Sequence, residues 1–102
     1  MIVTYPVIFT EVDTNILIEI PDLEILTETN ENGGKKKEVE DAIIMAKDAI
    51  ATLYISMSNQ KEEMKDPSSL ECIDISKGTF TKYGKSIVSM VSVDLPEYKI
   101  NI

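Results

Sequence analysis

The sequence predicts an α+β fold of order βββαβ, a mostly antiparallel sheet covered on one face by one long helix. Three observations carry that expectation. Three short strand-like runs precede the Gly33-Gly34 pair, the first of them alternating with a period of two. A single later run repeats them every three or four residues, as one face of a helix does. The links between the early runs are only a few residues long, which favours antiparallel pairing of neighbours.

In the first run Val3, Tyr5, Val7 and Phe9 alternate with Ile2, Thr4, Pro6, Ile8 and Thr10. Pro6 has no N–H to give a ladder, so this strand belongs at an edge or must turn that gap outward. Glu11-Val12-Asp13-Thr14-Asn15 supplies turn residues, NILIEI reads as a second strand, Pro21-Asp22 interrupts, and LEILTET offers a third. A three-stranded meander is the simplest arrangement. NENGGKKK reads as a loop, since Asn and Gly tolerate positive φ and a lysine run prefers water.

The helix is expected from Lys37 to Asn59, with Val39, Ala42, Ile43, Ala46, Ala49, Ile50, Leu53, Tyr54 and Met57 on its apolar face. Glu38, Glu40 and Asp41 in its first turn complement the helix dipole. Lys47 and Asp48 fall on a solvated flank, and the alanines at 42, 46, 49 and 51 would let the backbone approach a sheet closely. Fraying through QKEEMKD is expected until Asp66-Pro67 stops the helix. Between 66 and 85 no period holds; Ser68, Ser69, Gly78 and Gly84 mark turns, and LECIDI could add a short extended piece. SIVSMVSVDL is the fourth strand, with Ile87, Val91 and Val93 on one face and Val88 and Met90 on the other. Apolar on both sides, it belongs next to or inside a covered sheet. A brief helical turn is expected at Leu95-Pro96-Glu97-Tyr98.

A chain of 102 residues fits a single domain, 1–102, with one core. The opening MIVTYPVIFTEVDT has no basic n-region, so it does not resemble a secretory signal. No stretch is long and apolar enough to cross a membrane. The lone Cys72 rules out an internal disulfide and suits a reducing, cytoplasmic setting.

The charge of −8 is unevenly distributed. Residues 1–34 carry Glu11, Asp13, Glu19, Asp22, Glu24, Glu28 and Glu31 with no basic residue; all ten basic residues are lysines from Lys35 onward. Phosphate binding rests on Lys and Arg, with Arg giving the bidentate contacts, so nucleic acid is a poor partner. A one-signed surface attracts a basic protein instead. Glu11, Asp13, Glu19, Asp22 and Glu24 are accordingly the candidate partner-binding residues. A solubilising acidic face is the plainer reading of the same charges.

Bond-making chemistry is sparse. Histidine is absent, which removes the usual acid–base group and the commonest zinc ligand. Cys72 has no histidine to activate it and reads as an ordinary, partly buried thiol. Gly33-Gly34 lacks the spacing of a phosphate-cradling loop. Glu19, Asp22 and Asp94 could in principle converge on a divalent ion as a metal-dependent nuclease requires, but acids near strand ends are ordinarily solvated. No catalytic residue, cofactor or metal is therefore assigned. Tyr5 and Tyr54 fall on apolar stripes and read as core residues with the hydroxyl at the rim. Tyr83 and Tyr98 lie in irregular segments, where packing is the simpler role. Met57 and Met64, near the helix end, suit either fraying or an adaptable contact.

Three stretches together resemble the HicB family of type II antitoxins: TYPVIFTEVDTNILIEIPDLEI, EVEDAIIMAKDAIATLYISM and KSIVSMVSVDLPEYK. They match, in order, a Tyr-Pro strand with an acidic turn and a Pro-Asp-Leu/Phe corner, an alanine-spaced helix, and a final strand ending Val-Asp-Leu-x-x-Tyr. The turn common in the family after that corner is replaced here by Glu24-Ile25-Leu26. The resemblance implies a partial ribonuclease-H-like domain, an oligomeric antitoxin, and as partner a small basic HicA-type toxin that cleaves mRNA. Many members continue into a DNA-binding segment; too few residues follow Tyr98 for one, so no complete C-terminal DNA-binding domain and no operator binding are expected. The leading expectation is thus a toxin-neutralising module, a homo-oligomer and not an enzyme. A stand-alone ligand-binding or structural domain and a metal-dependent nuclease are the alternatives.

Overall fold

The computed structural model describes residues 2–13, 15–29 and 39–95. Strands β1 (Ile2–Glu11), β2 (Ile16–Ile20) and β3 (Ile25–Glu28) precede helix α1 (Val39–Asn59), and β4 (Lys85–Asp94) follows it. The sheet order is β3-β2-β1-β4, with every neighbouring pair antiparallel. The first three strands form the expected meander, and β4 returns beside β1.

β1 is central in that order but flanked unevenly. β4 pairs with it from Ile2↔Asp94 to Glu11↔Lys85, whereas β2 pairs only with Ile8 to Glu11. Pro6 lies outside the β1–β2 register, on a stretch where that side of β1 has no strand needing its N–H. Proline is thereby tolerated in a central strand.

Residues paired across an antiparallel ladder share a face. Val3, Tyr5, Val7 and Phe9 therefore line one side with Ile18, Val91 and Val93. That side meets Ala42, Ala46, Ile50 and Ala51 of α1, and all of these except the half-buried Val3 are at most 3% exposed. Full burial of each Val, Ile or Phe stabilises by about 1.5–3 kcal/mol, so this layer dominates the fold. Two expectations for the helix need correction. Val39 is 42% exposed rather than buried. Lys47 and Asp48 are half-buried rather than fully solvated.

The helix does not fray through QKEEMKD. Lys61 adopts a left-handed backbone with φ of 60°, its N–H bonds to the Ser58 carbonyl, and the Glu62 N–H reaches back to the Met57 carbonyl at 2.8 Å. That pair of bonds is a Schellman stop, here built on lysine instead of the usual glycine.

LECIDI does not form a strand. It folds into 3-10 turns at Leu70–Cys72 and Ile75–Lys77, followed by a third at Thr81–Tyr83. Asp74 caps the second turn by accepting from the Ser76 N–H at 3.0 Å and the Ser76 hydroxyl at 2.6 Å. Those bonds, the side-chain one first, hold its carboxyl below the usual carboxylate range. This connector lies against the sheet face opposite α1, where Cys72, Ile73, Lys77 and Gly78 surround Ile8. Ile8 is 2% exposed as a result. Cys72 itself is exposed, not partly buried, with the Ser69 hydroxyl 3.3 Å from its sulfur. The expected loop NENGGKKK lies wholly outside the described residues, as do Pro96, Glu97 and Tyr98 of the expected helical turn.

Two substitutions should move stability in opposite directions. A Cβ at Gly84 would sit 2.0 Å from the Glu11 carbonyl oxygen, so Gly84→Ala should destabilise by about 1–3 kcal/mol as β1 and β4 part there. Lys61→Gly relieves the left-handed strain and should raise stability by up to about 1 kcal/mol, a Tm gain of a few degrees. Thermal melts of the two variants measure both.

Candidate functional site

The carboxylates singled out by charge do not gather in one place. Glu11 and Asp13 sit at the β1–β2 hairpin, where the Val12 N–H bonds to the Asn15 carbonyl at 3.1 Å. Asp22 and Glu24 lie at the far end of β2, in and just after the 3-10 turn Pro21–Leu23. Glu19, paired with Ile8 and Leu26, projects from the sheet face opposite α1. Five residues of β2 separate the two ends, roughly 17 Å of strand. Glu11, Asp13 and Glu24 are exposed, while Glu19 is half-buried.

Two of these acids are turned inward to hold the chain itself. Asp22, 8% exposed, accepts from the Ser68 N–H at 2.7 Å on one oxygen and from the Ser68 hydroxyl at 2.6 Å on the other. Proline at the head of the turn and the left-handed Glu24 (φ 54°) aim that carboxylate inward. Glu19 repeats the device, taking the Thr79 N–H at 2.8 Å and the Thr79 hydroxyl at 3.1 Å. The sequence signals, Ser68 and Thr79 in an aperiodic stretch, give no hint of which strand they would meet.

Asp22, Glu19 and Asp94 do not converge. The partners of Glu19 and Asp94 on β1 are Ile8 and Ile2, about 20 Å apart along the strand. Among the described residues no group of three acids or cysteines could hold a metal ion.

The hairpin end is tied across the sheet instead. The Asn15 amide donates to a Glu28 carboxylate oxygen at 3.0 Å and to the Thr29 carbonyl at 3.3 Å, and the Ile16 N–H donates to the Thr29 hydroxyl at 2.9 Å. Asp13 is thus displayed on a braced turn.

A cleft of about 360 Å³ opens where α1 ends, lined by Val3, Tyr5, Tyr54, Met57 and Met64 together with Glu62, Glu63, Lys65 and Asp66. Tyr5 is 1% exposed, and its hydroxyl donates to the Lys65 carbonyl at 2.5 Å. Burial first, then the Asp22 and Asp66 carboxylates, push its phenol above the ordinary value. Tyr5 so meets the expectation of a core ring, while Tyr54 is half-buried and packs against the core. Glu62, Glu63 and Asp66 carry no local sign of lining a cleft, because QKEEMKD reads in sequence as helix fray; Met57 and Met64 are the available signal. Tyr83 remains 61% exposed, with the Lys82 ammonium 5.2 Å from its ring centroid.

No protein-family model matches the chain, and comparison with curated proteins finds no match. Among solved structures, a chain of a toxin–antitoxin complex from Streptococcus pneumoniae is similar in fold, with a TM-score of 0.71 and 21% identity, over 100% of this chain and 80% of that one. No helix among the described residues is long and apolar enough to cross a membrane.

The inward carboxylate and the buried phenol should be separable in solution. Asp22→Ala leaves the Ser68 N–H and hydroxyl unmatched and should destabilise by about 1.5–3 kcal/mol in denaturant melts. For Tyr5 the folded pKa is raised, so its stabilising contribution is complete below the unfolded value of 10.0 and falls as pH rises through the folded one. Alkaline unfolding curves should therefore show wild type losing more stability above that pH than Tyr5→Phe does.

Proposed function

We propose that this protein is an antitoxin-like, HicB-type protein-binding module that neutralises a small basic, HicA-type mRNA-cleaving toxin by covering its RNA-binding surface. The observation that carries the reading is the likeness of fold, along the whole chain, to a component of a toxin–antitoxin complex. The chain's chemistry supports it. A net charge of −8 without arginine or histidine suits a protein that opposes a basic, RNA-seeking partner better than one that contacts phosphates or moves protons itself. In this reading the chain is not an enzyme, works in the cytoplasm as a homo-oligomer, needs no cofactor, and does not bind DNA.

The five acids take different parts. Glu11, Asp13 and Glu24 are exposed and face the toxin directly. Glu19 and Asp22 add to the same negative field while anchoring the connector to the sheet. Such a field raises the association rate more than the final affinity.

Co-expression with a small basic HicA-type toxin, followed by pull-down, tests the proposal. Stable co-purification and loss of the toxin's ribonuclease activity are expected. Two folded proteins that do not bind would overturn it and favour a stand-alone HicB-like domain; RNA cleavage by this chain with Mg²⁺, abolished in Asp22→Asn, would favour a nuclease. The association rate should fall about tenfold or more as salt rises from low to high ionic strength. Asp13→Lys should lower it further at low salt, since that residue lies on a braced, exposed turn.

A further inference from the structure

β4 is paired with β1 along all of its length, and among the described residues no strand covers its other side. Proteins blunt such an edge by keeping it short, bulging it, or placing proline or charge on it. β4 does none of this. It has ten residues, an unbroken register with β1, no proline, and no charge between Lys85 and Asp94. Ile87 is 52% exposed and Met90 38% exposed on this strip.

The strip also reads nearly the same in both directions. About Ser89 the residues run Ser86-Ile87-Val88-Ser89-Met90-Val91-Ser92, with serine matched to serine and aliphatic to aliphatic at every step. A two-fold axis requires that pattern, because residue i of one copy meets residue j of the other and j meets i.

We propose that two copies of this chain join edge to edge through β4, antiparallel about Ser89, into one eight-stranded sheet. This deepens the homo-oligomer part of the preceding reading by naming its surface and register. An axis through Ser89 keeps each side chain on its own face. On the helix side Ile87 stacks against the second copy's Val91, and on the opposite side Val88 stacks against Met90 and Ser86 against Ser92. Shifting the axis to Met90 would set Ser89 against Val91, Val88 against Ser92 and Ser86 against Asp94, losing the match of like with like.

Charge selects a second copy in the same way. Each chain carries −8, so two copies repel except along a strip with no charge of its own. The hydroxyls on this strip already pair across the ladder, Ser92 with Thr4 and Ser86 with Thr10, each at 2.7 Å. A serine hydroxyl has one donor and two acceptor sites, so both retain capacity for the second copy.

Site-specific cross-linking tests the register. In a Cys72→Ser background, Ser89→Cys should give a disulfide-linked dimer of twice 11.4 kDa under mild oxidation, since directly opposed strand residues lie within disulfide reach. Met90→Cys and the exposed-helix control Ile55→Cys should cross-link at least tenfold more slowly. By light scattering the wild-type chain should be dimeric at about 100 µM, a concentration within reach of interfaces of modest affinity. Met90→Lys should be monomeric with an unchanged circular dichroism spectrum. A monomeric wild type overturns the proposal, as does a dimer in which Cys at 89 reacts no faster than the controls. If Met90→Lys fails to fold, the cross-link decides. The assay contains no toxin, so failed toxin capture leaves the dimer standing and a failed cross-link leaves the toxin reading standing.

Discussion

Helix α1 approaches the sheet through side chains with little bulk. Ala42, Ala46 and Ala51, with Ile50, share one buried cluster with Tyr5, Phe9 and Ile18 of the strands. At interior packing density a leucine at any of those alanines would force the layers apart. The rest of the molecule is placed by this contact. It holds β1 in the middle of the sheet, brings the helix C-terminus over Val3 and Tyr5, and directs the chain that leaves α1 toward the Pro21–Leu23 corner.

From that corner onward polar groups take over. The Tyr5 hydroxyl donates to the Lys65 carbonyl, while Asp22 accepts from Ser68 and Glu19 from Thr79, so two strand residues and one turn residue tether a connector that has no periodic structure of its own. The carboxylate acceptors make the Asp22 and Glu19 bonds stronger than neutral ones. The connector in turn buries Ile8 on the face that the helix does not reach, which gives the sheet partial cover on both sides. Acidic residues consequently serve two purposes here. Some carry the negative field outward, and others spend their oxygens on the chain's own backbone.

The antitoxin-like reading and the paired-edge reading draw on separate features. One rests on the overall arrangement of sheet and helix and on a charge suited to a basic partner. The other rests on a neutral, self-complementary strip at the end of that sheet.

Periodicity made the elements readable from sequence. Alternation in Ile2–Thr10, and the three- and four-residue spacing from Ala42 to Met57, reflect side-chain directions that local geometry imposes on any strand or helix, and the two-sided apolar run Ser86–Val93 marked a strand covered on both faces. The meander followed from short links. The absence of histidine, the excess of acids before Lys35 and the single thiol are likewise properties of the chain alone. Tertiary structure decided what has no local signature. Nothing adjacent to Asp22 says that its carboxylate meets Ser68, forty-six residues away, or that Glu19 is committed to Thr79. Nor does the sequence say that Cys72 faces solvent or that the helix halts at a left-handed Lys61. Such pairings depend on which distant segments the packed core brings within hydrogen-bond reach, and the core forms from the sum of all the elements, not from any one of them.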